Sequence, residues 1–386
     1  MRRSETLASV QSPIIPVVGE WLKNSPGALS LGQGMVSYPP PTSALSAIQN
    51  FGTQPEHHLY GPASGYAPLL EQIKHKLYRE NHLDLNQGYQ LMVTAGSNMA
   101  FLNVLLAITD PGDEIILPVP YYFNQEMAIS MRNCIPVSVA TDAQYHLQLD
   151  AIENAITDKT RAIVTVSPNN PSGAVYSEAS LRAVNQLCLK YGLYHISDEA
   201  YEYFTYDDAK HFSPGSIRGA STHTISLYSL SKAYGFASWR IGYIVFPEAL
   251  LPELLKIQDT NLICPPLITQ YAALGALKTG SVYCLAQLPT FATKRQWLVG
   301  AFDELKNYCE ISSCEGAFYV LIKLHTDRKV LNVVQNLIEQ FKIAVIPGSA
   351  FGLNDGCYLR VSYGMLTEAD FHDAITRLTT GLKANC

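Results

Sequence analysis

The sequence predicts an α/β protein: a large domain wound around a mostly parallel seven-stranded sheet, with a smaller α+β domain after it. Three observations carry this expectation. From about residue 90, short apolar runs alternate with helical stretches, the order that results when parallel strands are joined by covering helices. The alternation breaks at Pro265-Pro266, beyond which helices and strands follow a different order. A length of 386 residues is also more than one compact core holds, and 47% of them are hydrophobic.

Element by element, the first 45 residues carry prolines at 13, 16, 26, 39, 40 and 41 and read as an irregular arm. Ile14, Ile15, Val17 and Val18 need burial, so the arm is expected to lie over another surface. Strands are expected at 91–95, 114–117, 135–139, 162–166, 193–197, 223–227 and 241–246, with helices such as 98–108 and 180–191 between them. After the proline pair come helices at 267–278 and 294–307, then strands at 316–322, 343–347 and 358–362. The expected units are the arm (1–45), packed on the small domain or a dimer partner, a large domain (46–270) and a small domain (271–386). In such a sheet, reactive groups gather outside the carboxyl ends of the strands, where the winding reverses.

Composition removes several classes of function. A net charge of -6, from 27 Lys+Arg against 33 Asp+Glu, leaves no basic footprint for nucleic acid. The eight cysteines are scattered with no C-x-x-C pair, which fits free thiols in a reducing cytoplasm. Arg2 and Arg3 are followed by an acid and no apolar run, against a secretory leader, and no stretch approaches the ~20 apolar residues of a membrane span. A soluble cytoplasmic protein is expected. Gly32-Gln33-Gly34 lacks the third glycine and flanking elements of a dinucleotide site, and His57-His58 has no metal-binding context.

Ser229-Leu-Ser-Lys232-Ala-Tyr-Gly-Phe-Ala-Ser-Trp-Arg240, after an expected strand, carries the chemistry. Lys232 could form an imine with an aldehyde, and Ser229 and Arg240 could grip a phosphate. A lysine imine beside a phosphate clamp is what pyridoxal 5'-phosphate (PLP) demands. Other strand ends offer the rest. Gly96, Ser97 and Asn98 would present backbone amides and side chains to a phosphate, or simply cap the helix that follows. Asp198 would pair with a pyridine nitrogen, and Tyr201 would hydrogen-bond the ring hydroxyl; an acid at a strand end is also a common cap. Asn170 sits in a Pro- and Gly-rich turn and could donate to the same hydroxyl. Tyr122 could stack on the ring. Arg360 lies inside an apolar strand pattern and needs an anion, either a substrate α-carboxylate or a structural acid.

With these residues assembled, the chain resembles the PLP-dependent class I/II aminotransferases of fold-type I, the aspartate aminotransferase superfamily. The resemblance runs from Leu31-Gly32-Gln33-Gly34 to the C-terminal lobe. It implies that Lys232 carries the imine, and that Asp198, Tyr201 and Asn170 hold the ring. It further implies that Gly96, Ser97, Asn98, Ser229 and Arg240 hold the phosphate, that Tyr122 stacks, and that Gly34, Asn170 and Arg360 meet the substrate. Tyr60, in Tyr60-Gly61-Pro62-Ala63-Ser64-Gly65, looks like the tyrosine that reaches the phosphate in the partner subunit, so a homodimer is implied. The chain departs from the best-known aspartate enzymes in placing Tyr122 where many stack a tryptophan. It also has no arginine clearly placed for a second carboxylate; Arg218 and Arg295 match no such motif. The runs 120–124, 201–204 and 256–259 look more like plant enzymes that transaminate methionine and aromatic amino acids. A ping-pong transaminase for such donors is therefore expected. A carbon–sulfur β-lyase on the same scaffold is the alternative, and a PLP-binding regulator is disfavoured by the short arm.

Overall fold

The structure, a computed structural model, describes residues 2 and 4–386; Met1 and Arg3, at the start of the expected arm, lie outside the described residues. Its largest sheet has seven strands in the spatial order Tyr89–Thr94, Gly242–Pro247, Thr224–Ser229, Tyr194–Asp198, Thr160–Val166, Glu114–Val119, Ile135–Ala140. Neighbours pair in parallel except Gly242–Pro247, which runs against both Tyr89–Thr94 and Thr224–Ser229. Central strands are covered on both faces, so they read as continuous apolar runs: Thr224–Ser229 and Gly242–Pro247 are buried at every position.

Helix Glu178–Tyr191 shows how local sequence fixes an element. Ser177 Oγ accepts the amide of Ser180 at 3.1 Å, and Gly192 ends the helix in the left-handed region at φ 67°. Leu181, Val184 and Cys188 fall on one stripe and are buried. Val184 and Cys188 share a core with Ile163 and Leu193 beneath the sheet.

The winding moves outward from Glu114–Val119 to Ile135–Ala140, then returns through Thr160–Val166 on the other side. The carboxyl ends of the six like-directed strands share one rim with the start of Gly242–Pro247. Every loop carrying an expected cofactor residue except that of Tyr60 opens at this rim.

A second sheet is antiparallel, in the order Ile346–Pro347, Cys357–Ser362, Tyr319–Leu324, Cys309–Ile311. Helices Val330–Phe341 and Glu368–Asn385 cover it, burying Val333, Leu337, Phe371 and Leu378 in its core. The strand expected at 343–347 is two short pieces. Ile343–Ala344 pairs in parallel with Leu29–Ser30, and Ile346–Pro347 joins the antiparallel sheet.

The arm is more regular than its prolines suggest. Residues Glu5–Ser9 and Ile14–Lys23 are helical. Pro13 is the N-cap of the second helix and Pro16 lies in its first turn, where a missing amide breaks no helical hydrogen bond. Val18 is buried, and Ile14, Ile15 and Leu22 pack on the small-lobe core.

Candidate active site

A cavity of about 190 Å3 lies where the rim of the large sheet faces the second lobe. Gly34, Ser97, Asn98, Tyr122, Asn170, Asp198, Tyr201, Ser229, Lys232, Arg240 and Arg360 all line it. Gly96 stands directly behind the lining. Tyr60 is elsewhere, 82% exposed on a surface shared with Phe51, His57 and Ile268.

Lys232 sits in the short helix Leu230–Ala233 that Ser229 caps, and its amine donates to the carbonyl of Gly34. Burial, then the nearby Arg360 and Arg240 guanidinium groups, lower its pKa from 10.5 to about 8. About a tenth of the amine is then neutral and nucleophilic at pH 7, several hundredfold more than for an ordinary lysine. Asp198 ends the strand Tyr194–Asp198, fully enclosed; burial raises its pKa from 3.8 to about 6 against the pull of the Ala200 amide. Its Oδ1 accepts that amide at 3.2 Å and its Oδ2 accepts Gln125 Nε2 at 2.9 Å. These two bonds fix the carboxylate at the cavity wall, where a spare lone pair can accept a cationic N–H.

The helix Ser97–Ile108 starts at the cavity wall, and no side chain caps it. Its first amides have no intrahelical acceptor and no capping side chain, so they are free to meet an anion at the cavity wall. Gly96 is required there: at φ 82° and ψ 168°, a Cβ would lie 2.5 Å from Arg240 Nη2. Ser229 Oγ accepts the Ser231 amide at 3.2 Å, leaving its own proton to donate. Arg240 gives one hydrogen bond, Nη1 to the Ala237 carbonyl at 2.9 Å, and forms no ion pair among the described residues.

Arg360 lies on the strand Cys357–Ser362 and is 2% exposed. Its Nη1 donates to Asn170 Oδ1 at 3.1 Å and its Nη2 to the Gly32 carbonyl at 2.5 Å, while Nε has no partner. No carboxylate of the described residues pairs with it, so no structural salt bridge is seen within the chain. The cavity thus gathers Lys232, Arg240 and Arg360 around one carboxylate, Asp198. An open helix start, two unpaired guanidinium groups, a lysine of lowered pKa and an acid aimed at the centre fit PLP and a substrate carboxylate.

The sequence of residues 26–378 matches the profile of the family described as aminotransferase class I and II. This chain belongs to that family. Its members are PLP-dependent enzymes that transfer amino groups, and PLP is the cofactor of this aminotransferase. It is 34% identical over 380 residues to an aromatic aminotransferase of Arabidopsis thaliana, spanning 96% of this chain and 94% of that protein. A probable aspartate/prephenate aminotransferase of Aquifex aeolicus is 33% identical over 333 residues, 84% of this chain and 83% of that one. Among solved structures, an aromatic aminotransferase from Pyrococcus horikoshii superposes with a TM-score of 0.85 at 30% identity, covering 95% and 99% of the two chains. A single mutant of Thermus thermophilus aspartate aminotransferase gives a TM-score of 0.90 at 27% identity, covering 99% and 100%. The fold is therefore the fold-type I arrangement of the aspartate aminotransferases.

Sequence reasoning missed Gln125 and Tyr319. Gln125 lies on the first turn of the helix Phe123–Met131, three residues after Tyr122, a spacing that offered a faint signal. Tyr319 accompanies Arg360 only through strand register, which the sequence does not display.

Proposed function

We propose that this aminotransferase moves amino groups from aromatic amino acids or methionine to 2-oxo acids by a ping-pong mechanism, as a cytoplasmic homodimer. The carrying observation is the inventory of cations in the cavity. With Arg240 assigned to the cofactor phosphate and Arg360 to the α-carboxylate, no further arginine of this chain faces the space among the described residues. Arg295, an arginine considered for a second carboxylate, donates to the Cys314 carbonyl at 2.6 Å and pairs with Asp207 at 2.8 Å. Ile15, Met35, Tyr122 and Phe123 supply apolar wall. Such a wall favours a phenyl ring or thioether by ~25 cal/mol per Å2 buried and penalises an unpaired carboxylate. The printed name of the Arabidopsis relative supports the same donor class.

In this reading PLP, when bound, supplies the electron sink for charge developing at the donor's Cα. Arg360 takes the α-carboxylate through its fork and fixes the amino acid's orientation. Lys232 would hold the cofactor through its amine and, when that amine is free, would take the proton from the donor's Cα. Asp198, held by Gln125, would keep a proton on the ring nitrogen. Tyr201 and Asn170 would donate hydrogen bonds to the cofactor ring, and Tyr122 would pack against it. Gly96, Ser97, Asn98, Ser229 and Arg240 hold the phosphate. A 2-oxo acid then runs the same residues in reverse.

The division into an arm (1–45), a large domain (46–270) and a small domain (271–386) belongs to this reading. So does the dimer, which the apolar surface around Leu59, Tyr60 and Ile268 supports; Tyr60 would then reach the phosphate of the neighbouring subunit.

The test is kcat/KM for phenylalanine, tyrosine, methionine, aspartate and alanine with one 2-oxo acid, on wild type and Arg360→Lys. Aromatic donors and methionine should lead, and Arg360→Lys should depress every donor together without changing their order. Aspartate at the head of the wild-type ranking refutes the apolar reading. Release of pyruvate, ammonia and thiol from a cysteine S-conjugate, with no 2-oxo acid present, would mark a carbon–sulfur β-lyase instead.

A further inference from the structure

The structure assigns a positioning role to Tyr319: it ties the arginine that receives the substrate carboxylate to the tyrosine that serves the cofactor ring. This rests on the functional reading above and adds a residue to it. In the antiparallel pairing of Tyr319–Leu324 with Cys357–Ser362, Arg360 faces Leu321, so Tyr319 is its diagonal neighbour on the same face of the sheet. The pleat brings the Arg360 guanidinium over the Tyr319 ring, with Cζ 4.7 Å from the centroid. This contact is a cation–π support for a buried guanidinium that has no carboxylate partner.

At its other end, the Tyr319 hydroxyl lies 2.8 Å from the Tyr201 hydroxyl, and both side chains are buried. Tyr201 also receives Asn170 Nδ2 at 3.4 Å, and Asn170 Oδ1 receives Arg360. Arg360, Asn170, Tyr201 and Tyr319 therefore form a closed ring of contacts. If Tyr201 directs its proton to the cofactor's ring hydroxyl, the proton of the 2.8 Å bond comes from Tyr319. The main chain leaves little room for rearrangement, because a Cβ on Gly34 would stand 2.5 Å from the Tyr319 hydroxyl. The rings of Phe318 and Phe204 wall in Tyr201 from behind. The charged and titratable groups facing the tyrosine pair are Arg360 and Tyr122, with Lys232 across the cavity.

The hydroxyl and the ring of Tyr319 thus do separable work, and two variants separate them. The holoenzyme is read without substrate turnover, first by titrating the visible absorbance of the bound cofactor with pH, then by that absorbance change on binding 3-phenylpropionate. Tyr319→Phe should raise the titration midpoint by about one pH unit, the worth of one lost hydrogen bond to the group that serves the ring. It should leave the Kd for 3-phenylpropionate within about threefold. Tyr319→Leu should shift the midpoint likewise and also raise that Kd about tenfold, because Arg360 loses its support. A midpoint in Tyr319→Phe equal to wild type overturns the inference. So does an unchanged Kd in Tyr319→Leu, or a pair of variants that only melt earlier. Wild type that shows no pH-dependent cofactor absorbance would instead sink the functional reading itself.

Discussion

Replacing Gly96 with alanine tests the phosphate cradle at its tightest point. At φ 82° and ψ 168° the backbone is in a region that costs a residue with a side chain ~1–3 kcal/mol. The new Cβ would also lie 2.5 Å from Arg240 Nη2 and 3.0 Å from Cζ, well inside van der Waals contact. The guanidinium is the movable partner, since Arg240 is exposed and held by one bond to Ala237. It should therefore swing out of the cavity. Loss of a charge-assisted contact to phosphate costs ~1.5–3 kcal/mol, or about ten- to a hundredfold in PLP affinity. Titrating apoprotein with PLP while following tryptophan fluorescence measures this. Arg240→Ala should weaken PLP by a similar factor, and the double variant should be no weaker than the worse single one, because both changes remove the same contact. If Gly96→Ala melts earlier yet holds PLP as wild type does, the glycine serves only the turn. If the two losses add, Arg240 and Gly96 act separately and the cradle is wrong.

Other expectations follow from the lysine and the acid. Lys232→Ala should bind PLP without covalent attachment and lose nearly all transfer, and borohydride reduction of wild type followed by peptide mapping should label Lys232 and no other lysine. Because burial raises the Asp198 pKa from 3.8 to about 6, the folded empty site holds that proton more tightly than the unfolded chain does. Its contribution to apoprotein stability is full below about pH 4 and is lost as pH rises through about 6, a trend that melting curves should show in wild type and not in Asp198→Asn. PLP retention should run the other way, weakening as pH falls through about 6, because a neutral carboxyl no longer holds a protonated ring nitrogen.

The large sheet was legible because strands covered on both faces leave uninterrupted apolar runs, as Thr224–Ser229 does, and because turn residues separate them from the helices. Strand direction leaves no such mark. Gly242–Pro247 is as apolar as its parallel neighbours, and only its pairing shows that it is reversed. The arm misled for a different reason: a proline stops a helix from inside but fits its first turn, and Pro13 and Pro16 stand at a start. In the site, the side chains that chemistry demands announced themselves, since a lysine, an aspartate and an arginine amid apolar neighbours need a reason. Their supports did not. Gln125 meets Asp198 and Tyr319 meets Tyr201 across long stretches of chain, and a glutamine or tyrosine in a core is ordinary until its partner is known.

The short segment from Leu29 to Gly34 has a mechanical consequence. Its beginning is stitched to the small lobe, where the Leu29 amide donates to Lys342 at 2.9 Å, the Leu31 amide donates to Ala344 at 2.8 Å, and the Ser362 amide donates to Leu31 at 2.7 Å. Gly32 is held by Arg360, and Gly34 receives the amine of Lys232 from the opposite lobe. A few residues of main chain thus act as a tie rod between the lobes. A shift of the second sheet would pull on this rod, and the contact at its far end is the Lys232 amine, the nucleophile of the proposed reaction. In the proposed reaction, the grip of Arg360 on a substrate's carboxylate and the freedom of Lys232 are thus joined through one short stretch of main chain.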